Sequence, residues 1–390
     1  MGALARCTAV SPGDFATAHW SRTPLLTRAK ELPRDFTDLL SVDDVDELVG
    51  ERALREPFFR TVREGGGLPL PVRTVTAGAR RIGDLVDAPK LAAQHAEGAT
   101  LVLQSLHRMH PPVGRFCRAL AAELGHATQC NAYVTPAGDA QGFDFHHDTH
   151  DVFVLQVSGR KRWIVHQPVL ALPLPSQARS GEGLVPTGAE PLLDVELAAG
   201  DCLYLPRGYV HAALTTDEHS VHLTVGILST TWYDVLTDAV SLAQREESFR
   251  DALPVQPRGT VAAELPGLLR RAAGFLEGLD PAELAALVER RLALAVPPEP
   301  VRLLAGAAAV RTLALSSVVR PRLGTGATLD GAAVRLPGRV VAFPDGCGPA
   351  LALALAGPAP VAELAVGGLD VDDAMVLARR LLREGVLLPA

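Results

Sequence analysis

The stretch from Gln141 to Gln167, QGFDFHHDTHDVFVLQVSGRKRWIVHQ, constrains this chain more than any other. It opens with side chains of metal-ligand type: Asp144, His146, His147, Asp148, His150 and Asp151. An apolar run, Val152 to Val157, follows; then Ser158-Gly159; then a second alternating run, Arg160 to His166. Two such runs broken by Ser-Gly predict a β-hairpin whose first strand begins at the His/Asp cluster. Successive residues on a strand point to opposite faces, so His146 and Asp148 project to the same side. One imidazole and one carboxylate then aim at one point. A single further His would complete the two-His, one-carboxylate triad that holds non-haem Fe(II) and leaves positions open.

A third ligand is offered by GDCLYLPRGYVHAAL, Gly200 to Leu214. Gly200-Asp201 predicts a turn, Cys202 to Leu205 a short strand, and Pro206-Arg207-Gly208 another turn. His211 then opens a new strand, which a barrel could bring beside the hairpin. Taken alone, each histidine, or the His-x-Asp pair, reads better as a surface or hydrogen-bonded core imidazole. Adding His211 after the strand-turn signals brings the metal reading level with that one.

Three segments carry a family resemblance: NAYVTP (Asn131 to Pro136), QGFDFHHD…VFVLQVSGRKRW (Gln141 to Trp163) and GDCLYLPRGYVH (Gly200 to His211). They resemble the Jumonji C (JmjC) oxygenases of the ribosomal-oxygenase type, a branch of the cupin superfamily. The resemblance implies an α+β fold: a double-stranded β-helix (jelly-roll, cupin) barrel with flanking helices, then a helical dimerisation module and a C-terminal winged-helix-like domain. It implies Fe(II) bound by His146, Asp148 and His211, and a 2-oxoglutarate cosubstrate whose far carboxylate meets Lys161. Asn131 and Tyr133 match positions that line the family's active site, Asn131 on the cofactor side and Tyr133 as a catalytic group. His147 and His150 depart from the family pattern by crowding the motif with extra imidazoles.

At 390 residues the chain is too long for one ordinary domain. The expected division is an oxygenase domain over 1–230, a helical module over 231–297 and a winged-helix-like domain over 298–390. A net charge of −7 argues against indiscriminate binding to nucleic acid or anionic membrane. The scattered Cys7, Cys117, Cys130, Cys202 and Cys347 form no Cys-x-x-Cys pair. They suit free thiols in a reducing cytoplasm. The N-terminus has no long apolar core, and no stretch gives an uninterrupted transmembrane span.

In chain order, residues 1–14 read as a loose leader and Asp14 to Arg28 as a short helix followed by an apolar strand. Ser41-Val-Asp-Asp44 predicts a capped helix start. The Gly run at 65–67 lacks a following Lys-Ser/Thr, so it is a turn and not a phosphate loop. Residues 83–97 read as helix, 99–103 as a buried strand and 111–124 as a flanking helix. Short barrel strands are expected at 131–135, 152–157, 161–166, 202–205 and 221–228. The Pro-, Ser- and Gly-rich excursion from Pro168 to Leu193 suits a lid or a plain surface loop. After Thr231 apolar residues recur at helical spacing, beginning with Trp232, Val235, Leu236, Ala239, Val240 and Ala243. Asp280-Pro281-Ala-Glu283 predicts a helix start with Glu283 closing a capping box. Val296 to Pro300 suits a linker. Residues 301–390 predict helix, a hairpin around Pro337-Gly338, and a last helix from Asp370 to Glu384 ended by Gly385. Nine Arg face seven acids there, a poor phosphate footprint, so a structural or protein-binding role is expected.

Two neutral imidazoles and a carboxylate hold Fe(II) on one face, leaving room for 2-oxoglutarate and O2. Its remote carboxylate calls for a cation such as Lys161; Arg160 and Arg162 should point away by alternation. The expected chemistry is hydroxylation of a protein side chain, His or Arg of a ribosomal protein by resemblance, with release of succinate and CO2. Alternatives are the same chemistry on a small molecule, free peptide or RNA, or a non-catalytic metal-binding cupin. The expected assembly is a homodimer.

Overall fold

The first residues of the chain are packed, against the expectation of a loose leader. The computed structural model describes residues 2–138, 140–180, 184–185, 188–258 and 260–390, with backbone alone at 179–180. Ala3, Leu4, Arg6 and Cys7 are buried. Glu123 accepts from the Leu4 N–H at 2.9 Å, and the Arg6 guanidinium donates to Asp38 at 2.6 Å and 2.9 Å. A buried charge needs such a partner; it fixes a segment whose sequence shows no periodicity.

Two compact units follow, Met1–Ser229 and Thr230–Ala390. In the first, β1 (Leu25–Thr27) is followed by helix α1 (Val42–Gly50), started by the reciprocal Ser41–Asp44 capping box. Next come β2 (Phe59–Arg63), β3 (Gly66–Gly67), β4 (Val72–Ala77) and β5 (Arg80–Val86). The helix expected over 83–97 begins only at α2 (Ala88–Ala96). Asp87 caps it by accepting from Lys90 N, while residues 80–86 pair with β4. Fully buried β6 (Thr100–Leu103), helix α3 (Pro111–Leu124) and β7 (Ala127–Thr135) complete the approach to the barrel.

The barrel strands are β8 (His146–His147), β9 (Asp151–His166), β10 (Arg179–Ser180), β11 (Leu193–Ala198), β12 (Cys202–Leu205), β13 (Val210–Leu214) and β14 (Ser220–Leu228). The expected hairpin is instead one 16-residue strand, β9, and the metal cluster precedes it on the separate β8. Its first half pairs with β12 and β14, its second half with β11 and β13. Ser158-Gly159 bends the strand without reversing it. Gly159 has φ +66°, and a Cβ there would lie 1.7 Å from the His219 carbonyl oxygen. At the bend the register against β14 slips, from Val221↔Ser158 to His222↔Gln156. A one-residue slip exchanges the faces of a strand. Val152 and Val154 therefore point into the barrel before the bend, and Lys161, Trp163 and Val165 after it. Phe153, Leu155 and Val157 meet the flanking helices, which explains the unbroken apolar run. Arg160 and Arg162 face outward, paired with Glu196 and Asp194 across β11.

Of the 168–193 excursion, residues 181–183 and 186–187 lie outside the described residues. Its β10 pairs with β8, Ser180 opposite His146.

In the second unit, helices α4 (Trp232–Ser241), α5 (Val261–Glu277) and α6 (Pro281–Ala295) come first. Asp280 caps α6 by accepting from Ala282 N, but Glu283 pairs with Arg245 where a capping box was expected. The 296–300 segment, expected as a linker, is tied down: Glu299 accepts from Arg320 and donates its N–H to the Leu323 carbonyl. Then follow α7 (Leu303–Thr312), β15 (Val318–Pro321), β16 (Thr328–Asp330), β17 (Ala333–Leu336) and β18 (Arg339–Ala342). The β17–β18 hairpin turns at Pro337-Gly338 as predicted. Helix α8 (Gly348–Ala356), strand β19 (Ala359–Pro360), helix α9 (Val371–Arg383) and strand β20 (Leu387–Pro389) end the chain. The apolar core of this unit runs from Val319 to Leu387. Among the described residues no helix is long and apolar enough to cross a membrane. All five cysteines are buried and unpaired by disulfides.

Candidate metal centre

His146 on β8 stands directly opposite His211 on β13. Residues paired across strands share a face, so the two rings lie side by side with centroids 4.4 Å apart. Asp148 follows two residues after His146, its Oδ2 3.9 Å from His211 Nε2. One ligand atom from each of the three lies within 4.8 Å of the other two.

Backbone carbonyls fix the ring tautomers. His146 Nδ1 is 2.8 Å from the Asp144 carbonyl, and His211 Nδ1 is 3.0 Å from the Tyr209 carbonyl. A carbonyl only accepts, so both Nδ1 atoms carry the proton and both Nε2 atoms keep a lone pair for a ligand. Burial, reinforced by neighbouring His146, pushes the His211 pKa down to about 4. It is neutral at pH 7. Burial opposes ionisation of Asp148, but the imidazoles of His211, His150 and His146 hold its carboxyl below the usual range. Two imidazoles presenting Nε2 and one carboxylate fit a divalent transition ion.

The loop carrying Asp148 is clamped. Gly208 N–H donates to the Asp148 carbonyl at 2.9 Å. Asp151, fully buried, accepts from Ser21 Oγ at 2.7 Å and Arg207 N–H at 2.8 Å. Asp151 is therefore committed to the fold. His147 is buried facing away from His146, and the His150 ring lies against Gly226, where a Cβ would come within 2.6 Å of it. Neither joins the three-residue cluster.

The cluster opens into a cleft of ≈160 Å3. Lys161 lies on its wall, 4% exposed; its Nζ donates to Thr135 Oγ1 at 2.8 Å and forms no ion pair among the described residues. Burial pushes its pKa down to about 7. A buried ammonium with one neutral partner fits an anionic ligand. Tyr133 also lines the cleft, stacked on His222 with centroids 4.9 Å apart and rings 4° from parallel. Burial and the charge of Asp148 raise its pKa to about 12, so the hydroxyl stays protonated. Asn131 sits one step back; its Oδ1 accepts from Ser105 N–H at 2.9 Å.

Arg60, Phe143, Trp163 and His222 also line the cleft and escaped the sequence reading. The slipped register at Gly159 hid Trp163 and His222. Period-two alternation from Asn131 and Tyr133 would have found Thr135, the partner of Lys161.

The JmjC domain family matches residues 103–235. Ribosomal oxygenase 1 of Gallus gallus is 33% identical over 262 residues, covering 64% of this chain and 41% of that protein. The bifunctional lysine-specific demethylase and histidyl-hydroxylase NO66 of Dictyostelium discoideum is 36% identical over 194 residues, covering 47% and 38%. The chain thus spans about two fifths of the length of these curated relatives. Among solved structures, Escherichia coli ribosomal oxygenase YcfD superposes with a TM-score of 0.55 at 19% identity, covering 98% of this chain and 99% of that one. YcfD in complex with cobalt and 2-oxoglutarate gives 0.54 at 19%, covering 97% and 98%. That likeness is one of fold.

Proposed function

We propose that this chain, which carries a JmjC domain of the ribosomal-oxygenase type, is an Fe(II)- and 2-oxoglutarate-dependent oxygenase that hydroxylates a protein side chain. The carrying observation is the pairing of two sites in one cleft. Two free Nε2 atoms and a carboxylate lie at one end, and a buried ammonium that lacks an anion lies on the wall. His146, Asp148 and His211 hold the ion. Bound iron with 2-oxoglutarate and O2 supplies an oxidant for an unactivated C–H, with succinate and CO2 as by-products. Lys161 and Thr135 receive the remote carboxylate of the cosubstrate. Tyr133, held neutral, offers a hydroxyl for orienting the substrate, and Asn131 supports that tyrosine from behind.

The relatives named ribosomal oxygenase and histidyl-hydroxylase support a ribosomal protein as substrate with His as the target side chain; Arg, the other target the resemblance implies, has no such support. The remaining parts follow the same reading. Residues 231–297 serve as a helical module joining two copies, and 298–390 as a winged-helix-like domain of structural or protein-binding role. The cytoplasm is the compartment.

The test is metal and succinate together. Wild-type protein should bind one Co(II) or Mn(II) per chain and release succinate with purified ribosomes. His211→Ala should lose at least about tenfold in metal affinity, as ligand loss exceeds the 10–100-fold typical of outer-shell changes. Wild-type metal affinity in that variant would remove His211 from the site. Turnover with metabolites alone would move the substrate class to small molecules.

A further inference from the structure

The metal cleft does not end at the metal. A second cavity of ≈300 Å3 adjoins it, and Arg60 and Phe143 line both. The second cavity runs beside β2 and β3, with Phe59, Leu68 and Leu70 as its apolar floor and Gln104 at its side. Arg60 lies on the shared wall with its guanidinium 5.0 Å from the Phe143 ring centroid. Phe143 in turn lies 5.7 Å from the His146 ring and 6.0 Å from Tyr133. Arg60 therefore stands one ring away from a metal ligand.

The two cations of the cleft differ. Lys161 is buried. Arg60 is exposed at the shared wall, and its side chain forms no ion pair or hydrogen bond with another described residue. Stacking on Phe143 pre-orders the planar fork and leaves its edge N–H donors free. A guanidinium so held takes oxygen acceptors.

We infer that the substrate is an extended polypeptide whose chain leaves the metal cleft across Arg60 and Phe143 and lies in the β2–β3 groove, with Arg60 binding an oxygen of the residues flanking the hydroxylated one. This inference rests on the protein-hydroxylase reading and sharpens it: Arg60 sets specificity through the flank and the metal cleft sets it through the target side chain. The groove is continuous with the cleft, so a ligand filling both must pass over Arg60. Such a span suits a chain of several residues. The acceptor is a main-chain carbonyl or an acidic side chain, both of which a guanidinium binds.

The experiment uses the full chain with Fe(II) and 2-oxoglutarate, and overlapping peptides tiled across ribosomal proteins. Hydroxylation is read by mass. A hit is then shortened residue by residue from each end. One truncation should raise the peptide KM about tenfold, the loss expected of a hydrogen bond to a charged group. Arg60→Ala should cause the same rise on the long peptide and add nothing on the truncated one. Leu70→Glu, which alters the floor without touching the metal cleft, should repeat that pattern. Replacing flanking Asp and Glu by their amides separates the acceptors: a matching KM rise assigns an acidic side chain, and an unchanged KM assigns a carbonyl. If Arg60→Ala leaves the long-peptide KM unchanged, or weakens long and truncated peptides alike, the groove assignment fails while the hydroxylase reading stands. If no peptide or ribosome is hydroxylated while a small molecule is, the protein-hydroxylase reading itself fails.

Discussion

Lys161 is 4% exposed and holds one hydrogen bond, to Thr135. Its pKa is pushed by burial to about 7 from an ordinary 10.5, so the proposed clamp role predicts pH-dependent cosubstrate binding. The dianion needs the ammonium. Below about pH 7 the free protein already carries that charge, and above it binding must draw in a proton. 2-Oxoglutarate affinity should therefore be greatest below pH 7 and weaken by up to about tenfold per pH unit above it. Calorimetry in buffers of different ionisation enthalpy would report proton uptake at pH 8, and none detected there would remove Lys161 from the clamp. Without ligand the sign reverses for stability. The unfolded chain holds the Lys161 proton up to pH 10.5, so this residue's contribution rises with pH between 7 and 10.5. Lys161→Met should abolish the pH dependence of cosubstrate affinity and leave Co(II) binding intact. The grouping is legible in the sequence: His146, Asp148 and His211 come together as the family likeness expects, although Asp148 lies past the end of β8 and not on a hairpin strand. Arg60 is not legible, since one Arg among many at the surface carries no local signal.

Gly159 shows why an element is harder to read than a residue. Alternating runs around Ser-Gly describe a hairpin and a bent strand equally well, because both need a residue at positive φ. Tertiary pairing decides. Here β11, β12, β13 and β14 all bond to one continuous β9. The slip at the bend, which sequence cannot show, turns Lys161 inward. Elements with their own caps were legible: the Ser41 helix, the Pro111–Leu124 helix and the last helix from Asp370. The N-terminal segment was not, because its fixing partners Asp38 and Glu123 are distant in sequence. Gly159→Ala would place a Cβ against the His219 carbonyl at positive φ. It should destabilise the fold by about 2 kcal/mol or more. Urea unfolding of the variant, with Co(II) affinity measured alongside, checks both consequences. An unchanged midpoint would mean that the bend does not depend on glycine.

At the scale of the whole molecule, the helices after the barrel leave apolar surface uncovered. On α4, Trp232, Leu236 and Val240 recur every four residues and are 87%, 51% and 52% exposed. On the opposite side Asp238 is buried and pairs with Arg291 of α6. The polar side is thus spent inside the helical module and the apolar side faces out. On α5, Leu265 and Leu269 are 44% and 67% exposed. Contiguous exposed apolar stripes mark association surfaces, and a stripe that meets its own copy closes as a two-fold dimer. The 390-residue chain should therefore scatter light as a species of about twice its 41.2 kDa mass at micromolar concentration. Trp232→Ser with Leu236→Ser removes the centre of the stripe, where a few aromatic and aliphatic groups carry most of an interface's energy. That variant should be monomeric with unchanged helix content and unchanged Co(II) affinity. A monomeric wild type would show that these helices serve another contact. A variant that stays dimeric would move the interface off α4 to the leucines of α5.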